Sequence, residues 1–359
     1  MRIMPKCLMF KNGMTIGPGG QVRPCCSYTH ADTNNIEQRY NEPGWREKFD
    51  ELYEESLTKW LPNCYECKAQ EDRGGVSLRQ ESNERFKDAT PGEIHYWDLK
   101  LHNTCNLTCV MCNPLSSSKW QTMVNANPNE DWHKLVKVES KMKTGWHKDI
   151  LPEILSSLYD TKYLKFTGGE PLMIPHVRKI ITQLYEDEVS PSVRLSIITN
   201  GTIPLDAELL KMLLTFKQVI FLVSIDGIED KFEYIRAGAN WKEVEANLIK
   251  FKQIEINYPD KFHLNINYLP MSINASQNEA AEKWAKDLKI KFSKSVEIFR
   301  PHYLTYAGLN NKLRERYNIK THHKYDENIF KELLKHMDMK DRLQGTDFRS
   351  ACPEFFEDE

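Results

Sequence analysis

From residue 94 to about residue 300 the chain alternates two hydrophobic patterns. Short β-branched and aromatic runs, IHYWDLKLH, YLKFTGG, VRLSIITN, VIFLVSID, FHLNINYL and KSVEIFR, predict six strands. Between them, apolar residues recur three and four positions apart at 175–187, 207–216, 241–255 and 278–289, which predicts amphipathic helices. Strand–helix repetition of this kind builds a parallel sheet, so the expected fold is α/β, a partial (β/α)6 TIM-like barrel. The flanks read differently. In residues 1–93, NEPGWREKFDELYEESLTKWLPNC predicts a helix with Trp45, Phe49, Leu52 and Leu57 on its apolar side, and Gly17, Gly19 and Gly20 predict a hairpin turn. Residues 301–359 mix charge with periodic apolar positions and predict a C-terminal helical extension. The expected division is therefore 1–93, 94–300 and 301–359.

Composition narrows the classes of partner. With 359 residues the chain can enclose a cofactor, and 49 basic against 51 acidic residues leave no electrostatic footprint for nucleic acid. The opening MRIMPKCLMFKNG lacks an apolar signal core, and runs such as Val219 to Val223 fall short of a membrane span. A cytoplasmic protein without membrane partners is expected. In that compartment, nine cysteines in two clusters and one outlier indicate metal ligation rather than disulfides.

The strongest chemical signal is Cys105-x3-Cys109-x2-Cys112 within LHNTCNLTCVMCNP. The spacing supplies three thiolates to a [4Fe-4S] cluster and leaves one iron for a ligand that is not protein. A zinc knuckle completed by His102 or a distant cysteine is the alternative. Further motifs sit where predicted strands end, the face on which parallel barrels build active sites. Gly168-Gly169-Glu170-Pro171 follows YLKFT, Thr199-Asn200-Gly201 follows VRLSII, and Ser224-Ile225-Asp226-Gly227 follows VIFLV. Turns and helix caps are the alternative reading of each.

Together these motifs resemble the radical S-adenosylmethionine (SAM) superfamily. The resemblance implies that Cys105, Cys109 and Cys112 hold the catalytic cluster, that the open iron chelates the methionine end of SAM, and that reductive cleavage yields a 5′-deoxyadenosyl radical that takes a hydrogen atom from a substrate. It further implies that Gly168, Gly169, Glu170 and Pro171 hold the methionine amino group and that Thr199 and Ser224 contact the ribose or carboxylate. Arg236, in IEDKFEYIRAGANW, is expected to pair with the methionine carboxylate, with surface salt bridging as the alternative. Asn265 and Asn267 alternate with apolar residues on the fifth strand, and Asn267 is the candidate for a cofactor contact. Met111 stands where the family carries an aromatic residue near the adenine, so a softer thioether contact is expected there.

The N-terminal cysteines, Cys7-x12-Gly20-x4-Cys25 and Cys64-x2-Cys67, resemble a shortened SPASM module, the twitch domain, placed before the barrel instead of after it. The next cysteine of the full motif is replaced by Arg73. The resemblance implies one auxiliary [4Fe-4S] cluster on Cys7, Cys25, Cys64 and Cys67, with Cys26 as substitute for Cys25, and structural zinc as the alternative. The implied partners are SAM, an electron donor such as flavodoxin or ferredoxin, and a substrate that is a peptide or protein side chain or a small molecule such as a sugar or alcohol. A noncatalytic zinc-binding interaction protein is the competing class. His133 and His147 are candidates for proton transfer, Tyr303 and Tyr306 for reaching the site, and Cys352 for a redox role, each against an ordinary structural or solvated reading.

Overall fold

The computed structural model describes residues 5–28, 39–128, 147–295, 297 and 301–357. Among the described residues there are eight strands: β1 Gly13–Ile16, β2 Val22–Arg23, β3 Tyr96–Leu99, β4 Tyr163–Phe166, β5 Arg194–Thr199, β6 Gln218–Ser224, β7 Phe262–Tyr268 and β8 Lys291–Lys294. Their order in the sheet is β2-β1-β3-β4-β5-β6-β7-β8, an open α/β sheet as in a partial TIM barrel. The pairs β1–β3, β3–β4, β4–β5 and β7–β8 are parallel, and β2 runs antiparallel to β1.

The residues group into two compact units. One comprises Met1–Asn103, Glu139–Ile197 and Ala207–Val219. Its helix Trp45–Ser56 buries Phe49 and Leu52, as the apolar spacing predicts. The glycines close the expected hairpin between β1 and β2: Gly17 donates to the Gln21 carbonyl, and Gly20 takes a φ of +86° that side chains disfavour. The helix Leu78–Arg85 begins with a capping box in which Ser77 and Gln80 exchange side-chain and backbone hydrogen bonds. Asn83, one turn on, accepts from Leu8 N at 2.8 Å and donates to Lys6 O at 2.7 Å, which fixes the segment around Cys7.

Register places a polar row across this unit: Thr15 opposite Asp98, Asp98 opposite Lys165, and Lys165 opposite Ser196. Asp98 is wholly buried, accepting from Lys165 Nζ at 2.9 Å and from Thr167 Oγ1 at 2.8 Å. Burial opposes the Lys165 charge, and Asp98 beside it, with Cys26 and Tyr96 adding to its effect, more than offsets that, raising its pKa.

The other unit comprises Thr104–Val138, Ile198–Asp206 and Ile220–Glu359. Along β6 and β7, buried residues alternate with half-buried ones, the period-two pattern of strands with unlike faces. Phe221 packs on Phe251 of the helix Trp241–Asn257 and on Phe262 of β7. The C-terminal helix Glu327–Gln344 is capped by Asp326 and stops at Gly345, whose φ is +67°. Its Leu333 and Met337 share a core with Val110, Tyr234, Ile235, Met271 and Leu304.

Two strands depart from the expected set. One lies at Lys291–Lys294, just before the expected 294–300, where Ile290 and Phe292 supply the apolar alternation, with Phe292 against Tyr268. Most of 294–300 lies outside the described residues, as does His133, and the His147 side chain is likewise not described. In addition, β1 joins the sheet before β3. Four residues buried on both faces leave no periodicity to read.

Breaking the Asp98–Lys165 pair leaves a carboxylate buried with one neutral partner. Lys165→Met is expected to destabilise the fold by about 3 kcal/mol, the lower end for a buried pair because Lys165 keeps some solvent contact, whereas Asp98→Leu with Lys165→Met recovers most of the loss. Denaturant unfolding of both proteins checks this, and equal stability of the single variant and the parent contradicts it.

Candidate active site and second cysteine centre

The loop carrying Cys105, Cys109 and Cys112 is held at many points. Thr108 N donates to Ala237 O and Val110 N to Ile235 O, both at 2.9 Å, so two rungs of backbone fix its middle. Ser118, at the start of the helix Ser118–Ala126, accepts from Cys105 N at 3.1 Å and donates to Cys105 O at 3.3 Å. Ser117 caps that helix and donates to Leu107 O at 2.6 Å. Trp120 Nε1 donates to Cys109 O at 2.9 Å.

Polar donors are turned to two of the three sulfurs. Asn200 Nδ2 lies 4.0 Å from Cys105 Sγ and donates to Asn106 Oδ1 at 2.9 Å. Arg236 Nη1 lies 3.9 Å from Cys109 Sγ, and its Nη2 donates to Asp226 at 2.5 Å. Asp226 is itself fixed by Leu269 N at 2.9 Å. Burial works against the Arg236 charge, and Asp226, with Cys109 behind it, more than offsets that. Burial pushes Cys109 up to about 11, opposed by Arg236, and Cys112 up to about 12. Thiols so placed ionise when a metal takes the proton's place. Soft thiols with N–H donors beside them suit an iron-sulfur cluster, whose sulfurs accept such hydrogen bonds.

The other sequence-derived candidates fall into distinct positions. Ser224 and Asn267 both lie on half-buried faces of β6 and β7, and Asn267 Oδ1 accepts from Ser295 at 3.0 Å. Thr199 lies on the buried face of β5, and its hydroxyl accepts from Gly201 N at 3.1 Å. Strand alternation turns it to the side opposite Ile198. Arg236 is engaged by Asp226 through Nη2, and its Nε is buried without a hydrogen-bond partner among the described residues. Met111 packs against the core around Met271 and Leu304. Tyr303 stacks on His336 at 3.9 Å between ring centroids, Tyr306 is buried and accepts from Asn278, and Cys352 is buried against Ile273 O. Asn200, read from sequence as part of an Asn-Gly turn, is the residue that the motif reading passed over.

In the first unit, Gly168 and Gly169 both take positive φ, +76° and +43°, and a Cβ on Gly168 would crowd Lys100 at 3.1 Å. The bend needs glycine. Glu170 is buried and caps the turn by accepting from Leu172 N at 3.1 Å.

That unit also holds the N-terminal cysteines. Cys7, Cys25, Cys64 and Cys67 line a single cavity with Phe10 and Trp60, whereas Cys26 is outside its lining. Cys67 lies in the first turn of the helix Tyr65–Asp72, where backbone N–H groups favour a thiolate. Burial raises all four thiols, Cys7 to about 12, and neighbouring thiolates raise Cys7, Cys25 and Cys64 further, as Glu71 does Cys67. Arg79 opposes this at Cys7 and Cys64. Its guanidinium is gripped by Glu71 through two hydrogen bonds, at 2.9 and 2.6 Å, and donates to Lys6 O at 2.9 Å. Four soft donors around one cavity fit a closed cluster. Among the described residues, no three His, Cys, Asp or Glu side chains converge as closely as one metal ion requires.

Comparison with known proteins adds the family. Residues 99–272 match the model of the radical SAM superfamily. A probable GTP 3′,8-cyclase of Methanococcus maripaludis is 21% identical over 276 residues, covering 74% of this chain and 83% of that protein. A GTP 3′,8-cyclase of Clostridium botulinum is 27% identical over 171 residues, 46% of this chain and 47% of its own length. Among solved structures, Streptococcus suis SuiB bound to S-adenosylmethionine is 14% identical with a TM-score of 0.41, covering 86% of this chain and 65% of that one. The chain thus spans about half of the Clostridium relative and under two thirds of SuiB, and a score that low carries no functional weight. With the three-cysteine loop near its start and the donors Asn200 and Arg236 further along it, the stretch 99–272 is a radical SAM superfamily domain.

Proposed function

We propose that this protein is a radical SAM enzyme with its catalytic [4Fe-4S] cluster on Cys105, Cys109 and Cys112 and an auxiliary cluster on Cys7, Cys25, Cys64 and Cys67, the latter in a twitch-like module placed N-terminally. The observation that carries the reading is the pair of donors, Asn200 and Arg236, turned to the Cys105 and Cys109 sulfurs inside a radical SAM domain. When bound, the cluster supplies the electron that cleaves SAM to methionine and a 5′-deoxyadenosyl radical, which takes a hydrogen atom from the substrate.

The residues divide the work. The backbone of Gly168 and Gly169, bent by positive φ, orients the methionine end of SAM, with Glu170 and Pro171 holding the bend. Ser224 and Asn267 offer a hydroxyl and an amide to the cofactor from half-buried faces. Arg236 serves the Cys109 sulfur in place of the SAM carboxylate, and Thr199 shapes the turn that presents Asn200. Cys25, not Cys26, is the N-terminal ligand, since it lines the cavity with the other three.

The substrate on this reading is a peptide or protein side chain, and the electron donor is flavodoxin or ferredoxin. Reduced thiols of this number suit the cytoplasm. Among the described residues no helix is long and apolar enough to cross a membrane. A second reading, a small molecule such as a nucleotide or sugar, draws on the curated relatives named GTP 3′,8-cyclase.

Reduced protein with SAM is expected to release 5′-deoxyadenosine, and replacing Cys105, Cys109 and Cys112 by Ala to abolish it. Chromatography of the quenched reaction decides: release by the triple variant at the parent rate overturns the assignment. Cys64→Ala with Cys67→Ala is expected to remove about half the iron, one of two four-iron clusters, while some SAM cleavage persists. Parent-level iron in that variant, with zinc in the N-terminal site of the parent, contradicts the auxiliary cluster.

A further inference from the structure

The helix Glu327–Gln344 lies beyond the matched family segment, yet it is built into the support of the cysteine loop. Gln344 Nε2 donates to Thr108 O at 3.0 Å. Met339 packs in a core with Trp120 and Val124, against which Cys112 and Leu343 also rest. Between these contacts the helix buries a lysine. Lys340 is only 2% exposed, its Nζ donates to Tyr234 O at 2.9 Å, and it lies 3.9 Å from the centroid of the Tyr234 ring.

A buried ammonium is unfavourable unless an anion compensates it. The other buried cations here meet that condition: Lys231 pairs with Glu354 at 2.5 Å and Arg236 with Asp226 at 2.5 Å. Among the described residues no carboxylate lies within ion-pair distance of Lys340. The adjacent Asp341 is committed elsewhere, accepting from Thr346 Oγ1 at 2.6 Å and Phe348 N at 2.7 Å. A carbonyl and an aromatic face satisfy the ammonium's hydrogen bonding, and Asp341, acting from beyond ion-pair distance, offsets the cost of burying its charge only in part. Tyr234 directly precedes Ile235 and Arg236, which hold Val110 and Cys109, so Lys340 is seated against the backbone that carries the cysteine loop. Its charge and that of Cys109 act on each other.

We propose that Lys340 is the positive charge that compensates the cluster on Cys105, Cys109 and Cys112, a positioning residue by which the C-terminal helix stabilises the reduced, more negative state. The proposal rests on the reading of that loop as the catalytic cluster. An ammonium in a poorly solvated site acts on a nearby anion with little screening. Removing it disfavours the added electron and lowers the midpoint potential.

The test is a redox titration of the anaerobically purified full-length protein, following the reduced-cluster EPR signal that responds to SAM. Lys340→Met is expected to cut the ratio of reduced to oxidised cluster at a fixed potential at least tenfold, equivalent to a fall of about 59 mV for one electron. Lys340→Gln, which keeps a donor for the Tyr234 carbonyl, is expected to do the same, and Lys340→Arg to stay near the parent. Either neutral variant with full iron content and the parent ratio overturns the proposal. So does failure of both neutral variants to accumulate as folded protein, which makes Lys340 a packing residue. Absence of a SAM-responsive signal in the parent itself overturns the cluster reading instead, a separable outcome.

Discussion

Three thiolates within eight residues repel one another, and burial penalises each of them further. Most of what surrounds Cys105, Cys109 and Cys112 answers that constraint. Backbone hydrogen bonds from Thr108 and Val110 fix the loop so that the sulfurs cannot simply separate. Asn200 and Arg236 then bring N–H groups to within 4.0 and 3.9 Å of two sulfurs. Asp226 holds Arg236 in place, and its own carboxylate is fixed by Leu269 N. A cluster at this loop finds its negative charge already answered before SAM or substrate arrives, which is the sense in which the site is preorganised.

The N-terminal centre solves the same problem with different parts. On the proposed reading four thiols replace three, which would leave no position for an external ligand on a four-iron cluster. The compensating cation is Arg79, gripped by Glu71 and anchored on Lys6 O beside Cys7. A closed set of ligands suits electron storage or transfer, whereas the open loop suits a cofactor that must bind and leave.

Much of this was legible in the sequence because its signals are local. The helices Pro175–Glu186, Trp241–Asn257 and Asn278–Asp287 announce themselves through apolar spacing, and cysteine spacing singles out the two groups of thiols on which the proposed reading rests. What stayed hidden depends on contacts distant in sequence. Asn200 reads as half of an Asn-Gly turn until Asn106 and Cys105, more than ninety residues away, are placed beside it. Lys340 sits in KHMDMKDRL, where a lysine is ordinarily solvated, and only packing against Tyr234 reveals it as buried. The pairing of Arg236 with Asp226 is likewise not visible in the segment around Arg236. Thr199 was placed by its neighbours' motif, yet strand alternation turns its hydroxyl into the local turn. Strand β1, short and buried on both faces, has no period to detect.

The central claim is that one iron of the Cys105, Cys109 and Cys112 cluster is open and takes SAM. The most direct measurement is EPR of the anaerobically purified, chemically reduced protein before and after SAM is added, with iron and sulfide counted in the same sample. The account predicts about eight iron per chain, four for each of two clusters, and one cluster signal whose shape changes when SAM binds. Spectra that are identical with and without SAM, or a colourless protein holding zinc at both centres, would contradict it.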